Sequence, residues 1–446
     1  MKIDLSFAEE IVSQAIKSGA NEAEVFMKSY KNLSVEVRGQ AVDSLTSSLS
    51  HGYGLRVIKN KRLGFSYATD PGEKDSVIKQ ALESADLSDE DPHLGLPGPS
   101  EPADVLICDP AIRELKEDDA IGLTMLLEQS AFDTDSRVKK IRKASGSFTS
   151  AETIIASSKA VKTSYLSTYC AAQIMAIAED GQESRTGWDF SGSRILSEVS
   201  FEKTGRTAAE RSVQLLGAKT ISGARTDVLL DNSVTIDFLG IFASSLSSET
   251  LQKGKSLLKD KLGKKIISQK LTIIDSGLLS GKLGSRPVDD EGVSSRENIL
   301  VHEGVLQGYL YNTYTARKGK TSSTGNAVRG GFASLPSVGI TNLFIEPSSE
   351  KGRPGGSEMF RLLNRGLYIV DTMGVHTANP ISGDFSLGVT GIWIDGGEPQ
   401  FPVKEAVISD NILDFFQKVA AVGSDRIFYG IMGAPGIIIS DVDISA

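Results

Sequence analysis

The chain has 446 residues, a formal net charge of −9 at pH 7, 40% hydrophobic residues and 24% charged residues. This length suits two or three domains, and the composition is typical of globular proteins. The acidic balance disfavours direct binding to nucleic acid, which needs basic patches. The sequence shows neither the roughly 18 apolar residues of a membrane span nor the apolar core of a signal peptide. With only Cys108 and Cys170, far apart, we expect a cytoplasmic protein without disulfides.

The first hundred residues alternate between helical and strand patterns. Apolar residues recur at helical spacing from Leu5 to Ile16, and Gly19 follows as a C-terminal cap. Two strand-rich segments come next, and they predict hairpins that turn at Lys31-Asn32 and at Asn60. A second helix is predicted over 73–85, and the Pro- and Gly-rich segment 93–105 is typical of a connection.

The same order of elements then recurs. A helix is predicted over 115–131, strands over 137–180 and a helix over 199–215, while the polar segment 181–194 favours a loop. Helix, strands and helix, twice, predict an N-terminal two-layer α/β domain over residues 1–220 with a possible internal duplication.

The pattern of predicted secondary structure changes after residue 220. A short buried strand precedes a helix that Asp231 or Asn232 can cap. From about residue 265 strands dominate, with hairpins predicted at Glu303-Gly304 and at 395–397. This spacing predicts a β-rich sandwich or barrel-like domain over residues 221–446 and an α+β fold class for the whole chain.

Residue types that carry chemistry are sparse. The four histidines, at positions 51, 93, 302 and 376, lack the close spacing of a helical zinc motif, although His302-Glu303 begins one. Asp289, Asp290 and Glu291 are adjacent, and we expect solvent to stabilise these like charges, with a bound metal as the alternative. Cys170 lies in an apolar strand pattern, which favours an inert buried thiol.

Two glycine-rich stretches are candidates for binding an extended peptide as an added strand. The residues that we expect to contribute are Gly325, Asn326 and Arg329 in the first stretch, and Ser382, Gly383, Asp384 and Ser386 in the second. Tight packing within the β-rich domain is the alternative explanation, and the sequence leaves both open.

These stretches also carry a resemblance that covers the whole chain. "STGNAVRG" (323–330), "GLYIVDTMGVHTANPISGDFSLGVTGIW" (366–393) and "GGEPQFPVKEAVISDN" (396–411) resemble the TldD/TldE family, in which TldE is also called PmbA. The family is described as modulating DNA gyrase. The resemblance implies an N-terminal α+β domain, a β-rich C-terminal domain, and a cytoplasmic TldD/TldE metalloprotease that acts on extended or unfolded peptides.

The chain departs from the zinc-binding pattern of that family. The resemblance places the TldD-type motif H-E-x-x-x-H on residues 239–244, which here read Leu-Gly-Ile-Phe-Ala-Ser, and no cysteine follows Cys170 as a third ligand. Leu239, Gly240 and Ser244 therefore mark a degenerate metal-site position. The chain resembles the TldE/PmbA subunit, for which we expect no catalytic residue, no metal and no cofactor.

The sequence is compatible with three functions. The first is a non-catalytic subunit that pairs with a TldD-like zinc protease, contacts the peptide substrate, and forms a homodimer when alone. The second is a binding or regulatory protein of the DNA gyrase modulator type. The third is an autonomous hydrolase that uses Asp289, Asp290, Glu291 and His302, the one group of acids close in sequence to a histidine.

Overall fold

The computed structural model describes residues 4–347 and 354–445, and its fold is mixed α+β, as predicted. The helices, in chain order from α1 to α10, are Leu5–Lys17, Lys74–Leu87, Pro110–Arg113, Glu117–Thr134, Phe201–Val213, Asn232–Ala243, Ser248–Gln252, Thr313–Lys318, Gly356–Leu363 and Ile412–Gln417. The strands, from β1 to β20, are Glu22–Arg38, Ala41–Lys59, Arg62–Ala68, Val138–Ser157, Lys162–Asp180, Glu183–Ser193, Ala224–Leu230, Leu271–Ser276, Glu297–His302, Val305–Leu306, Ala327–Val328, Ser337–Val338, Leu343–Pro347, Gly366–Met373, Asp384–Asp395, Glu398–Asn411, Val419–Val422, Ile427–Tyr429, Met432–Ala434 and Ile437–Ser445.

The N-terminal half is built on one antiparallel sheet with the strand order β3-β2-β1-β4-β5-β6. The elements α1-β1-β2-β3-α2 are followed by α4-β4-β5-β6-α5, so the predicted repeat of helix, strands and helix is present. The first strands of the two repeats, β1 and β4, pair antiparallel at the centre of the sheet. This arrangement gives the sheet an approximate two-fold symmetry.

Two local predictions in this half were wrong. The strand β1 runs through Lys31 and Asn32 without a turn, because both residues are paired with β2 on one side and β4 on the other. The segment predicted as a loop over 181–194 is mostly the edge strand β6, whose small and polar residues suit a sheet edge. The turn predicted at Asn60 is confirmed between β2 and β3, and Asn60 has a positive φ of 51°.

The helices pack on one face of this sheet, and the C-terminal half packs on the other. Phe7 of α1 and Leu127 of α4 belong to two separate apolar clusters under the two helix pairs. On the opposite face, a Cβ added at Gly52 would lie 2.4 Å from the ring of Phe332. Glycine therefore allows the two halves to approach closely. Cys170 is fully buried, and burial raises the pKa of its thiol to about 12.

The C-terminal half contains a closed barrel, which agrees with the barrel-like domain predicted from the sequence. Its strands follow the order β16-β15-β14-β7-β20, and pairing between β16 and β20 closes the ring. A second sheet has the order β10-β9-β8-β13-β19-β18. The predicted hairpin at Glu303-Gly304 joins β9 to β10, and that at 395–397 joins β15 to β16. No helix within residues 4–347 and 354–445 is long and apolar enough to cross a membrane.

Candidate functional site: helix α6 and the junction between the two halves

Helix α6 lies in the centre of the C-terminal core. Asp231, directly after β7, caps the helix by accepting a hydrogen bond from the backbone N–H of Ser233. Phe238 is fully buried, and its ring centroid lies 5.1 Å from that of Phe385 and 4.7 Å from that of Phe415. Leu239 is also fully buried. The helix therefore contributes apolar packing between the barrel and α10.

The residues at the position that the family resemblance assigns to zinc do not fit a zinc site. Leu239 and Phe242 have no ligating atom, and a Cβ added at Gly240 would meet the methyl group of Met432 at 3.7 Å. The Ser244 hydroxyl is exposed and lies 3.5 Å from the carbonyl oxygen of Ile241. Throughout residues 4–347 and 354–445, no three His, Cys, Asp or Glu side chains are grouped so that they could hold an ion. Zinc needs three protein ligands to activate water, and residues 239–244 supply no histidine, cysteine or carboxylate.

The second glycine-rich stretch lies beside the end of α6. The hydroxyl of Ser245, fully buried, lies 3.5 Å from the carbonyl oxygen of Pro380. Ser382 and Asp384 are anchored by the side-chain amide of Asn411, which donates to the Ser382 carbonyl at 2.8 Å and to the Asp384 carboxylate at 2.9 Å. The hydrogen bond from Asn411 and a second one from Ser382 hold the pKa of Asp384 below its usual range.

The remaining two residues of this stretch lie on the same loop and strand. Gly383 is buried with a positive φ of 84°, and its N–H donates to the carbonyl of Asn379 at 2.8 Å. Ser386 is exposed on β15 and accepts a hydrogen bond from Ser409 at 2.8 Å. The structure thus brings Ser382, Asp384 and Ser386 together near the end of α6, next to the position that the resemblance assigns to zinc.

Two carboxylates, one on α6 and one on β14, lie where these two elements meet. Asp237 accepts a hydrogen bond from the Thr372 hydroxyl, and Asp371 is hydrogen-bonded by the Trp188 side chain. Burial raises the pKa of both Asp237 and Asp371 above the ordinary aspartate value. Trp188 belongs to β6, so the N-terminal half reaches the barrel at this point.

A second contact between the halves surrounds Arg211 of α5. Its guanidinium donates to Asp231 at 3.1 Å and to the Tyr429 hydroxyl at 3.0 Å. Tyr429 in turn donates to Asp189 at 3.0 Å, and Tyr368 donates to Asp231 at 2.7 Å. Because Asp231 also caps α6, this cluster ties the start of the helix to the N-terminal half.

The first glycine-rich stretch lies in a buried network of charges between the halves. Arg56 of β2 donates to Glu24 of β1 at 2.7 Å and to Glu291 at 2.9 Å. Arg329 also donates to Glu24, and the side chains of both partners are only 1% exposed. Two guanidinium groups and two carboxylates therefore neutralise each other in the interior, as buried charges require. We call Glu24, Arg56, Glu291 and Arg329 the junction network.

The expectation that solvent stabilises Asp289 and Glu291 was wrong. Asp289 is fully buried and accepts hydrogen bonds from the backbone N–H groups of Glu291, Val293 and Ala327 at 2.9, 2.9 and 3.0 Å. Burial opposes ionisation of Glu291, but the charge of Arg56 and the hydrogen bonds from Thr313 together outweigh it and hold the pKa of Glu291 below the usual range. Burial, together with the charge of Glu291, raises the pKa of Asp289. These carboxylates are structural elements of the junction.

Asn326 and Gly325 are held in the same region. The Asn326 side-chain amide donates to Asp275 at 2.7 Å and to the Gly339 carbonyl at 3.0 Å. Gly325 has a positive φ of 77°, and a Cβ there would lie 2.7 Å from the Ser294 carbonyl oxygen. These contacts match the packing alternative, since a peptide could reach Asn326 and Arg329 only if the network opened. His302 is exposed at the end of β9, whereas Asp289 and Glu291 are buried.

Sequence reasoning did not identify Glu24, Arg56, Asp189 and Arg211 as members of a site. The available signal was a charged residue inside an otherwise apolar strand, as in "AEVF" (23–26) and "GLRVI" (54–58). Such a residue needs a buried partner, but the strand pattern does not say which one.

Comparison with known proteins supports the fold and the resemblance. Three family models match the chain: PmbA/TldA metallopeptidase domain 1 over residues 23–85, the central domain over 110–216 and the C-terminal domain over 223–446. The chain is 28% identical to metalloprotease PmbA of Escherichia coli O157:H7 over 429 residues, which cover 94% of this chain and 91% of that protein.

Solved structures agree over nearly the whole length. A Thermotoga maritima protein, described as a candidate modulator of a DNA gyrase, superposes with a TM-score of 0.91 at 26% identity and 99% coverage of both chains. TldE from Thermococcus kodakarensis shares the fold, with a TM-score of 0.89 at 22% identity, covering 99% of this chain and 100% of that one. The chain therefore belongs to the PmbA/TldD family.

Proposed function

We propose that this chain is a non-catalytic, TldE/PmbA-type subunit of a metalloprotease assembly that processes extended or unfolded peptides. The observation that carries the proposal is the apolar packing of α6. Leu239 fills the core at the position where the family resemblance places the first histidine of the TldD-type motif, and Gly240 and Ser244 stand where it places the glutamate and the second histidine. A zinc-bearing TldD-like partner would supply the catalytic chemistry, and this chain would contribute to the substrate chamber in the cytoplasm.

The surface beside α6 supports a role in holding the peptide. Strand β14 pairs with β15 only from Gly388 onward, so among the described strands none pairs with residues 385–387 on that side. The exposed apolar side chains of Met373 and Ile381 lie on segments that flank this stretch, with 54% and 50% of their surface exposed. An added peptide strand could use the backbone of 385–387 and the polar side chains of Asp384 and Ser386.

The assembly is tested by reconstitution with a TldD-like chain. We expect the purified chain alone to bind no stoichiometric zinc and to cleave no unfolded peptide, whereas the reconstituted pair does both. Zinc content is measured by atomic emission and cleavage by mass spectrometry. Stoichiometric zinc together with peptidase activity in the chain alone would refute the proposal.

The peptide-binding surface is tested separately in the reconstituted pair. Ile381→Asp and Ser386→Pro should each raise the peptide KM several-fold, because the first adds charge to the apolar surface and the second removes a backbone donor. Glu398→Pro, in the exposed hairpin at the far end of β15, is the matched control. Equal effects of the control and the two test variants would remove this surface from the proposal.

A further inference from the structure

A cavity of about 400 Å³ lies between the two halves of the chain. The N-terminal half contributes β2, β3 and the connection between the repeats (residues 88–109), and the C-terminal half contributes the start of α8 and the segment before β12. The volume falls within the range of about 300–1,000 Å³ that is typical of sites for small molecules. The cavity shares no lining residue with the peptide-binding surface beside α6.

The walls of this cavity are apolar on both sides. The N-terminal half lines it with Ile58, Leu63 and Leu94, and the C-terminal half lines it with Leu335 and Pro336. Leu335 is 38% exposed, so part of this apolar lining is in contact with water. An apolar ligand group of matching size would remove that surface from water, which is favourable.

Two buried polar side chains also line the cavity, and each has a donor without a partner among residues 4–347 and 354–445. Arg56 uses its two terminal nitrogens on Glu24 and Glu291, which leaves its Nε without an acceptor. Asn312 caps α8 by accepting a hydrogen bond from the Thr315 N–H at 2.9 Å, and its Nδ2 donates to no described residue. An unsatisfied buried donor is costly, so these groups favour a ligand with an acceptor oxygen. The two glutamates already balance the charge of the guanidinium, so a neutral carbonyl suits this end better than a carboxylate.

The more exposed part of the lining is acidic. Asp89 is exposed, and Asp91 is half-buried and accepts hydrogen bonds from the Tyr314 hydroxyl and the His93 backbone N–H, both at 2.8 Å. Burial opposes ionisation of Asp91, but these hydrogen bonds and the charges of His93 and Lys318 outweigh it and hold the pKa of Asp91 below the usual range. Two carboxylates on this side of the cavity attract a cationic group.

We propose that this cavity binds a small apolar primary amine that also carries a carbonyl group, as an amino-acid amide does. The apolar body of the ligand packs between Leu63, Leu94 and Leu335. Its carbonyl accepts a hydrogen bond from the Asn312 amide, and its ammonium group faces Asp89. Such a ligand contacts both halves at once and therefore stabilises their docking. The inference goes beyond the proposed function, because it requires neither a zinc-bearing partner nor a peptide substrate.

Calorimetric titration of the full chain with leucinamide tests the ligand class. Leucinamide carries all three features, and we expect a Kd on the order of 1 mM for a ligand of this size. Three analogues each lack one feature: N-acetylleucinamide lacks the cation, glycinamide lacks the apolar body and 3-methylbutylamine lacks the carbonyl. Each analogue should bind at least about threefold more weakly than leucinamide. No binding of leucinamide up to about 20 mM, a concentration well above the expected Kd, or equal binding of all four compounds, would overturn the proposal.

Charge substitution tests the location of the site. Asp89→Lys sets a cation against the ammonium group and should weaken leucinamide binding at least about fivefold. Asp104→Lys is the matched control and should bind like the wild type, because Asp104 is exposed on the same connection but does not line the cavity. Leucinamide should also raise the Tm of the wild type and of the control more than that of Asp89→Lys, since it binds only the docked halves. Equal affinities of the two variants, or a wild-type Tm that leucinamide leaves unchanged, would contradict the proposal.

Discussion

Helix α6 and the junction network are two largely buried regions with opposite chemistry. Helix α6 is apolar at residues 239–243, where the resemblance implies catalytic ligands, whereas the junction holds two guanidinium groups and two carboxylates out of water. The segment with the most ionisable side chains in sequence, 289–291, connects the two halves of the chain. The apolar segment of α6 lies at the position that the family resemblance assigns to the zinc motif of a TldD-type chain. Reactive residue types alone therefore do not locate the site.

Breaking the junction should have the largest effect. Glu24→Gln removes the carboxylate that Arg56 and Arg329 share and leaves buried positive charge without compensation. We expect a loss of about 3–5 kcal/mol in the free energy of unfolding, measured by urea denaturation. Asp86→Asn breaks the exposed pair with Lys59 and should cost less than about 1 kcal/mol. Similar costs in both variants would show that the network contributes no more than a surface pair.

The second-largest effect on stability is expected when a histidine, the ligand type that α6 lacks, is introduced into the helix. Leu239→His places an imidazole in a fully buried apolar position and should cost about 2–4 kcal/mol. Ser244→His, at the exposed residue directly after the helix, is the control and should change stability by less than about 0.5 kcal/mol. Equal effects in thermal or urea unfolding would mean that packing at position 239 is looser than the structure indicates.

A third substitution, at Asp289 in the same region, replaces the carboxylate by an uncharged amide of similar shape. Asp289→Asn keeps the shape but turns one acceptor oxygen into an N–H donor, which would oppose one of three backbone N–H groups. A cost of about 1–3 kcal/mol is expected from the unsatisfied donor. Asp395→Asn in the exposed turn of β15 and β16 is the control. If Asp289→Asn were as stable as the wild type, one of the three hydrogen bonds would be dispensable.

Local periodicity predicted the five longest of the ten described helices, the barrel-like C-terminal domain and three of the four hairpin turns, because amphipathic spacing and turn residues are local signals. It failed at Lys31-Asn32, where pairing on both sides of β1 overrides two polar residues. The junction could not be predicted, since Arg56 and Glu291 are 235 positions apart and Glu24 and Arg329 are 305 apart. The second glycine-rich stretch was singled out by its pattern of glycine and small polar residues, and its role in binding a peptide stays a prediction.

The smallest expected effect concerns pH. Burial raises the pKa of Asp237 in the folded chain, so its contribution to stability is complete below the ordinary aspartate pKa and is lost as pH rises through the folded value. Asp237→Asn cannot ionise at this position. The stability of this variant relative to the wild type should therefore be higher at pH 8 than at pH 5. Thermal melts of both proteins at the two pH values measure this. A difference of the opposite sign would mean that Thr372 stabilises the ionised carboxylate more than burial disfavours it.

The junction network also has a consequence for the order in which the chain is made. Glu24 and Arg56 leave the ribosome first and can pair across β1 and β2, whereas Glu291 and Arg329 emerge only after more than two hundred further residues. Until those two residues emerge, the ion pair between Glu24 and Arg56 on the N-terminal sheet is exposed to water. Arrival of the late segment completes the neutralisation and removes that face from solvent at once. Docking of the two halves is thus a late step of biosynthesis, and a ribosome stalled before residue 291 should display a folded sheet whose Arg56 is still open to chemical labelling.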